Sequence, residues 1–466
     1  MLLIDKNTNF GGSLMNKTIK PNYSKLHDWE FYGSYLMTEY EQSIEEGLDI
    51  ASYKEVFEAV SKLPKDEIKK QLSDALFEVV KNAPTVEGYP YNEPSDLPGI
   101  FALRKPYEYE KTPIDPDKLE EKIHGAWMGR ICGCLLGKTV EGIRTNELIP
   151  FLTESGNYPM HRYIYKSDIT EETLKKYKFD FVNTCYADEV DGMPVDDDTN
   201  YVVLAQKLVE KYGRDFTSWD VSRAWLADQR KDAYCTAERV AFCNFVNGYE
   251  PPVSAVYQNP FREWIGAQIR GDYFGYINPG DPQTAADMAF RDASISHIKN
   301  GIYGEMFAAA MIACAAETNN IKDVILGGLA QVPATSRLYR DVMLVINDYD
   351  SGVSKEDCFA HIHEAYDEYT EHGWCHTNSN AMIVAAALLY GEGDYGKSIC
   401  MSVETGFDTD CNGATVGSVL GMMLGIDGID AYWKDPIRDT LYTSIFGVGT
   451  VKISERVKMT MKHVKL

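Results

Sequence analysis

The chain has 466 residues, 44% of them hydrophobic, and a formal net charge of −24. That length suits one large domain with an extension, or two domains, and the apolar share is enough for a sizeable core. The acidic balance argues against nucleic-acid backbones and anionic membranes as partners. The longest apolar runs, 308–316 and 381–390, fall short of the roughly 20 residues a membrane-spanning helix needs.

The chain opens Met1-Leu-Leu-Ile-Asp-Lys6 without a long apolar stretch, so no signal peptide is expected. The first fourteen residues are polar and glycine-containing, which predicts a disordered lead, with Met15 as an alternative start. Residues 23–82 look helical and amphipathic, with apolar residues three and four apart over 52–63 and 65–80. Residues 83–117 contain Pro84, Pro90, Pro94, Pro98, Pro106, Pro113 and Pro116. They also carry Phe101, Leu103, Tyr107 and Tyr109, so the stretch is expected to wrap the surface rather than swing as a tether. This divides the chain into an N-terminal helical extension with its linker, 1–115, and a main domain, 116–466.

From residue 119 onward the pattern is helical and strand-like alternation is scarce. Gly213 closes a helix over 202–212 as its C′ residue, and 306–317 and 380–390 are rich in alanine, the best helix former. The fold class is therefore all-α. Two helices carry glycine every fourth residue: 125, 129, 133 and 137 in one, 413, 417, 421 and 425 in the other. That spacing puts each set on one helix face. A helical glycine costs roughly 1 kcal/mol against alanine, and close backbone-to-backbone packing of two buried helices is the natural compensation. The ten cysteines form no Cys-x-x-Cys pair, and the nine histidines are dispersed. They predict reduced core cysteines in a cytoplasmic protein and no zinc site.

Two acid clusters stand out, Asp196-Asp197-Asp198 and Asp408-Thr409-Asp410, each just before a helical stretch. One aspartate would serve as a helix N-cap, but five exceed what two caps require. Such crowding is unfavourable unless cations neutralise it, and a hard-oxygen donor set suits Mg²⁺ or Mn²⁺ over zinc. The first glycine ridge runs into Glu141 and the second begins just after Asp410, so packing the ridges together would bring Glu141 towards both clusters.

These motifs resemble the ADP-ribosylglycohydrolase family. The matching pieces are Gly125-Ala-Trp-Met-Gly-Arg-Ile-Cys-Gly-Cys-Leu-Leu-Gly137, Asp197-Asp198-Thr199, Ser296-His297 and Gly406-Phe-Asp-Thr-Asp410 with its ridge. The resemblance covers roughly 119–449. It implies a compact all-α fold, a two-ion Mg²⁺ centre (Mn²⁺ possible), and hydrolysis of an N- or O-glycosidic bond to ribose. It also implies metal-ligand roles for Asp197, Asp198, Asp408 and Asp410, an acid near the scissile bond at Glu141, and a cleft-lining histidine at His297. Two departures stand at the metal positions: Asp196 replaces a hydroxyl residue and Cys411 replaces another. Asp196 is thus a fifth candidate ligand that would compensate for the thiol. The family's Gly-Asn-Gly loop for the ADP-ribose diphosphate is not recognisable, and 259–276 stands in that region.

Glu141 is the candidate general acid or base, with Asp198 as the alternative. Arg262, Trp264 and Tyr273, with Phe274 as a further stacking ring, suit a nucleobase or a phosphate. His376 and Asn378, before an alanine-rich helix, are candidate cleft residues that helix capping explains equally well. The expected partner is a small ribosylated compound or an ADP-ribosylated protein. A catalytically silent scaffold and a Mg²⁺-dependent phosphohydrolase are the alternatives.

Overall fold

The computed structural model describes residues 21–466. The polar lead and the Met15 start considered above lie outside the described residues. Among the described residues there are 23 α-helices and one two-stranded antiparallel hairpin, Thr440–Tyr442 with Thr450–Lys452, so the fold is all-α. No helix among the described residues is long and apolar enough to cross a membrane.

The glycine ridges form the central contact. Helix Pro116–Lys138 starts with Asp115 as N-cap and Pro116 in its first turn, where a missing N–H does no harm. It packs along helix Thr409–Leu424 backbone against backbone. A Cβ added at Gly125, Gly129 or Gly133 would fall on the carbonyl oxygen of Gly421, Gly417 or Gly413. One added at Gly137 would fall on the backbone of Thr409 and Asp410. Both helices are buried along their glycine-spaced stretches. The last turn of the first helix is thereby pinned to the first turn of the second, and Thr409 Oγ1 donates to the Gly137 carbonyl at 2.8 Å.

The N-terminal helices Leu36–Glu45, Lys54–Ser61 and Glu67–Asn82 bury a small core of their own, including Leu36, Ile50, Phe57, Leu76 and Phe77. They dock on the main body through ion pairs. Arg262 reaches Glu39 at 2.8 Å and Glu46 at 2.6 Å, and Lys299 reaches Glu46 at 2.7 Å. The proline-rich segment then runs across the body. Asn92 N donates to Thr335 O at 3.3 Å, Glu93 pairs with Arg337 at 2.9 Å, and Tyr109 donates to Glu317 at 2.6 Å.

Candidate metal-binding active site

Both acid clusters sit at helix starts. Asp196 caps helix Asp197–Tyr212, accepting the Asp198 N–H at 2.8 Å. Asp408 occupies the N-cap position of helix Thr409–Leu424. It is aimed by Gly406 and Phe407, whose φ values of +77° and +58° lie in the left-handed region. For phenylalanine that conformation is strained, and such strain persists only where the surroundings enforce it. Asn380 braces the same loop: its Oδ1 accepts from Asp408 N at 3.2 Å and from Asn412 Nδ2 at 2.8 Å.

The ridge contact brings the clusters together. Ligand atoms of Asp198, Asp410 and Cys411 lie within 4.8 Å of one another, as do those of Cys134, Asp196 and Asp198. Above them opens a cleft of about 320 Å³, walled by Glu141, Asp197, Asp408, Asp410 and Cys411 among others. A larger groove of about 580 Å³ lies elsewhere, against Phe359 and His363, and contains none of these acids.

Two cations sit beneath the floor. Arg130 donates to Asp198 Oδ1 at 2.9 Å and to Asp272 Oδ2 at 2.7 Å. Lys138 meets Asp196 at 2.6 Å and Glu141 at 3.8 Å. They do not balance the acids. Burial, then Asp196 and Asp410, push Asp197 up to about 7. Burial outweighs Arg130 and holds Asp198 well above the carboxylate range, and burial with Asp410 does the same for Asp408. The neighbouring Asp410 charge, then burial, raises Glu141, although 46% of its side chain stays open to the cleft. Asp198 Oδ2 and Asp410 Oδ1 are buried with no hydrogen-bond partner. Like charges crowded in this way, with orphaned acceptor oxygens, fit a divalent cation. Burial keeps the Cys411 thiol protonated, so it is a poor ligand for a hard ion.

A family model described as ADP-ribosylglycohydrolase matches residues 115–460. The chain belongs to the ADP-ribosylglycohydrolase family. A solved structure described as "ADP-ribosylglycohydrolase-related protein complex" is similar at 13% identity and a TM-score of 0.40, over 74% of this chain and 98% of its own. No curated protein matches the chain.

Within this glycohydrolase fold the expected acids converge. Asp196 already has both oxygens engaged, one by the Asp198 N–H and one by Lys138. It caps its helix and pairs with Lys138, and one of its oxygens also lies within 4.8 Å of ligand atoms of Cys134 and Asp198. The expected substrate residues fare differently. Trp264 lines the cleft, while the other five do not. Arg262 is committed to docking the N-terminal helices. His297 is sealed against Ser296 Oγ at 2.8 Å and kept neutral by burial. Tyr273 is a core ring whose hydroxyl meets His463 at 2.6 Å. Asn378 donates to Asp341 at 3.0 Å. His376 caps its helix through Nδ1 at 3.1 Å and faces Glu45 at 3.3 Å. Burial alone would lower His376, but its hydrogen bonds to Glu263 and Glu45 carry it up to about 9.

Sequence reasoning missed Arg130, Cys134 and Lys138. They follow the ridge glycines by one residue and share their spacing of four, which makes a second stripe aimed at the acids. It also missed Trp29, Tyr35, Glu238 and Trp374, which wall the cleft. No local signal ties the first two to residues more than a hundred positions away.

Proposed function

We propose that this protein is a metal-dependent hydrolase of N- or O-glycosidic bonds to ribose, acting on ADP-ribosylated or smaller nucleoside-like substrates. The observation that carries the reading is the pair of orphaned oxygens on neighbouring Asp198 (Oδ2) and Asp410 (Oδ1), buried beside a cleft that Asp410 lines with Asp197, Asp408 and Glu141. Asp197, Asp198, Asp408 and Asp410 would hold the ions, with Glu141 at the rim. The charge balance supports two ions. Six carboxylates (Asp196, Asp197, Asp198, Asp408, Asp410 and Glu141) against Arg130 and Lys138 leave four negative charges, and five if Asp272 is counted. One divalent ion would leave the site strongly negative, whereas two Mg²⁺ or Mn²⁺ nearly neutralise it.

Bound ions of this kind orient ribose hydroxyls and acidify a water molecule. The chain's own contribution is proton handling and positioning. Glu141, raised by Asp410 and open to the cleft, has the range to accept a proton from water or to donate one to a leaving group. Arg130 fixes Asp198 through one oxygen and leaves the other free. Lys138, between Asp196 and Glu141, ties the acid to the metal-binding helix start. The transition state at ribose C1 is oxocarbenium-like and cationic.

The test is a panel of ADP-ribosyl-arginine and ADP-ribosyl-serine peptides, nucleosides and nucleotides with Mg²⁺ or Mn²⁺. It is scored by release of free ribose, ribose phosphate or ADP-ribose, and separately by release of phosphate. Hydrolysis that yields only phosphate, or none with any member, refutes the proposal.

A further inference from the structure

The family match begins at residue 115, yet the cleft is not closed by that part alone. Trp29, from the turn Asp28–Glu30, and Tyr35, just before helix Leu36–Glu45, line it together with Trp264 and Trp374. All four rings belong to one small apolar cluster. Trp29, Tyr35 and Trp374 pack against a core of Phe261, Trp264 and Cys375. Tyr35 meets Phe261 edge-on with centroids 4.8 Å apart, and Phe261 meets Trp264 at 4.7 Å. Arg239 supports Trp29 from 5.0 Å while its own N–H groups are bound to the Tyr234 and Asp232 carbonyls.

The charge around this wall is one-sided. Among the described residues the cleft carries carboxylates from Glu141, Asp197, Glu238, Glu371, Asp408 and Asp410, and a single Lys or Arg side chain, Arg144, which lies over Trp374 at 4.7 Å. Arg262 and Lys299 are turned away to Glu39 and Glu46. Arg270 is closed off by Asp292 at 2.5 Å and Glu238 at 3.1 Å. With Glu141, Asp197, Asp408 and Asp410 facing the ions, a diphosphate entering here would find one arginine, already over Trp374, beside Glu371 and an Arg270-paired Glu238. A flat base, neutral or cationic, would find aromatic faces and a favourable field.

We propose that Trp29 and Tyr35 are specificity-determining residues that stack on the base of an unphosphorylated riboside, so that the N-terminal extension selects the substrate the family-matched body hydrolyses. This rests on the reading of the site as a ribosyl hydrolase. It names the substrate class as ribosides of a planar neutral or cationic base, with the ribose over the acids and the base on the rings.

The experiment uses the full chain with Mg²⁺. Binding is read by tryptophan fluorescence and calorimetry with adenosine, inosine and nicotinamide riboside as probes, beside AMP and ADP-ribose. Cleavage is followed in parallel. Base stacking on an aromatic ring is typically worth a factor of about 5 to 100 on alanine substitution. Trp29→Ala and Tyr35→Ala should weaken riboside binding and raise KM by that factor with kcat within about threefold, and Trp29→Phe should restore most of it. AMP and ADP-ribose should bind more weakly than the ribosides. Melting curves and Mn²⁺ titrations of each variant separate lost stacking from a displaced N-terminal segment. Riboside binding that depends on Trp29 without any cleavage would support this inference while refuting the hydrolase. Unchanged affinity and KM in folded Trp29→Ala and Tyr35→Ala, or tighter binding of ADP-ribose than of every riboside, would overturn it.

Discussion

Gly129→Ala gives a test in which the sign of the effect decides. On an exposed helix this substitution would stabilise the protein by about 1 kcal/mol, because alanine is the better helix former. In this structure the Gly417 carbonyl carbon would stand 3.0 Å from the new methyl group, with its oxygen nearer still, and the Gly421 Cα 3.3 Å away. Carbon atoms in contact prefer about 3.5–4.0 Å. The obstructing atoms are backbone, so no side chain can rotate aside and the two helices must separate. Overpacking of this kind typically costs about 1–3 kcal/mol. With no rotamer to relieve it the upper end applies, and subtracting the propensity gain leaves a net loss of about 2 kcal/mol. A thermal scan is a weak detector. At about 2.1 cal/mol/K per residue, 466 residues unfolding together would shift Tm by only about 2 °C. Urea midpoints and amide hydrogen exchange along Pro116–Lys138 are the better assays. Gly417→Ala should behave alike, and the double variant should lose less than the sum of the two, since the first separation makes room for the second methyl group. A urea midpoint at or above wild type for both single variants would refute backbone-to-backbone packing.

Other outcomes follow from the acid cluster. Asp408→Asn and Asp410→Asn should abolish tight Mn²⁺ binding by titration, yet the metal-free variants should melt at or above wild type because a repelling charge is gone; a large fall in metal-free stability would contradict the crowding. Cys411→Ser should keep or tighten Mg²⁺ affinity, since a hydroxyl suits a hard ion better than a neutral thiol, and a tenfold loss would show that the sulfur matters. The metal-free protein should lose stability between about pH 4 and pH 7. Asp197 at about 7 lies above its unfolded value, so the folded state holds the extra proton in that window and stability falls as pH rises through it. Saturating Mg²⁺ should flatten this fall, and an unchanged urea-midpoint profile with and without metal would refute the assignment.

Much of this architecture was legible because it is written in local patterns. Glycines spaced by four announced two helices in backbone contact, and acids ahead of apolar helices announced the helix starts that hold them. What stayed hidden is long-range. Arg262 is aromatic-flanked and reads as a ligand residue, but its charge is used on Glu39 and Glu46, more than two hundred residues away. Tyr273 has the composition of a stacking ring and is wholly buried. Asp196 reads as a fifth candidate ligand, and the sequence gives no sign that Lys138 stands against it. An amphipathic pattern shows which face is buried. It does not show whether the burying surface is core, cleft or a docked segment.

The way the N-terminal helices are held bears on what they do. A segment needed only for stability would be expected to dock through apolar area, since buried ion pairs often do little better than hydrophobic replacements. This one adds to its apolar contacts, Tyr35 on Phe261 and Phe77 on Tyr257, a set of polar ones: Glu39 and Glu46 against Arg262 and Lys299, and Glu45 against His372 and His376. Directional pairs of that kind fix position more than they add stability. Their positions matter here because Glu45 meets His372 at 3.1 Å and His376 at 3.3 Å, on either side of Trp374 in the chain. His372 in turn accepts the Trp264 indole N–H at 3.0 Å. One glutamate of the extension therefore sets the stretch that carries Trp374 and, through His372, the ring of Trp264. The same extension supplies Trp29 and Tyr35. The division of labour that results is physical: the glycine ridge holds the acids together from within the family-matched body, and the polar contacts of the extension hold the aromatic wall from outside it. Glu45→Gln should then leave Mn²⁺ affinity intact while loosening whatever binds against the rings, and loss of metal affinity in that variant would show that the two halves of the cleft are not separable.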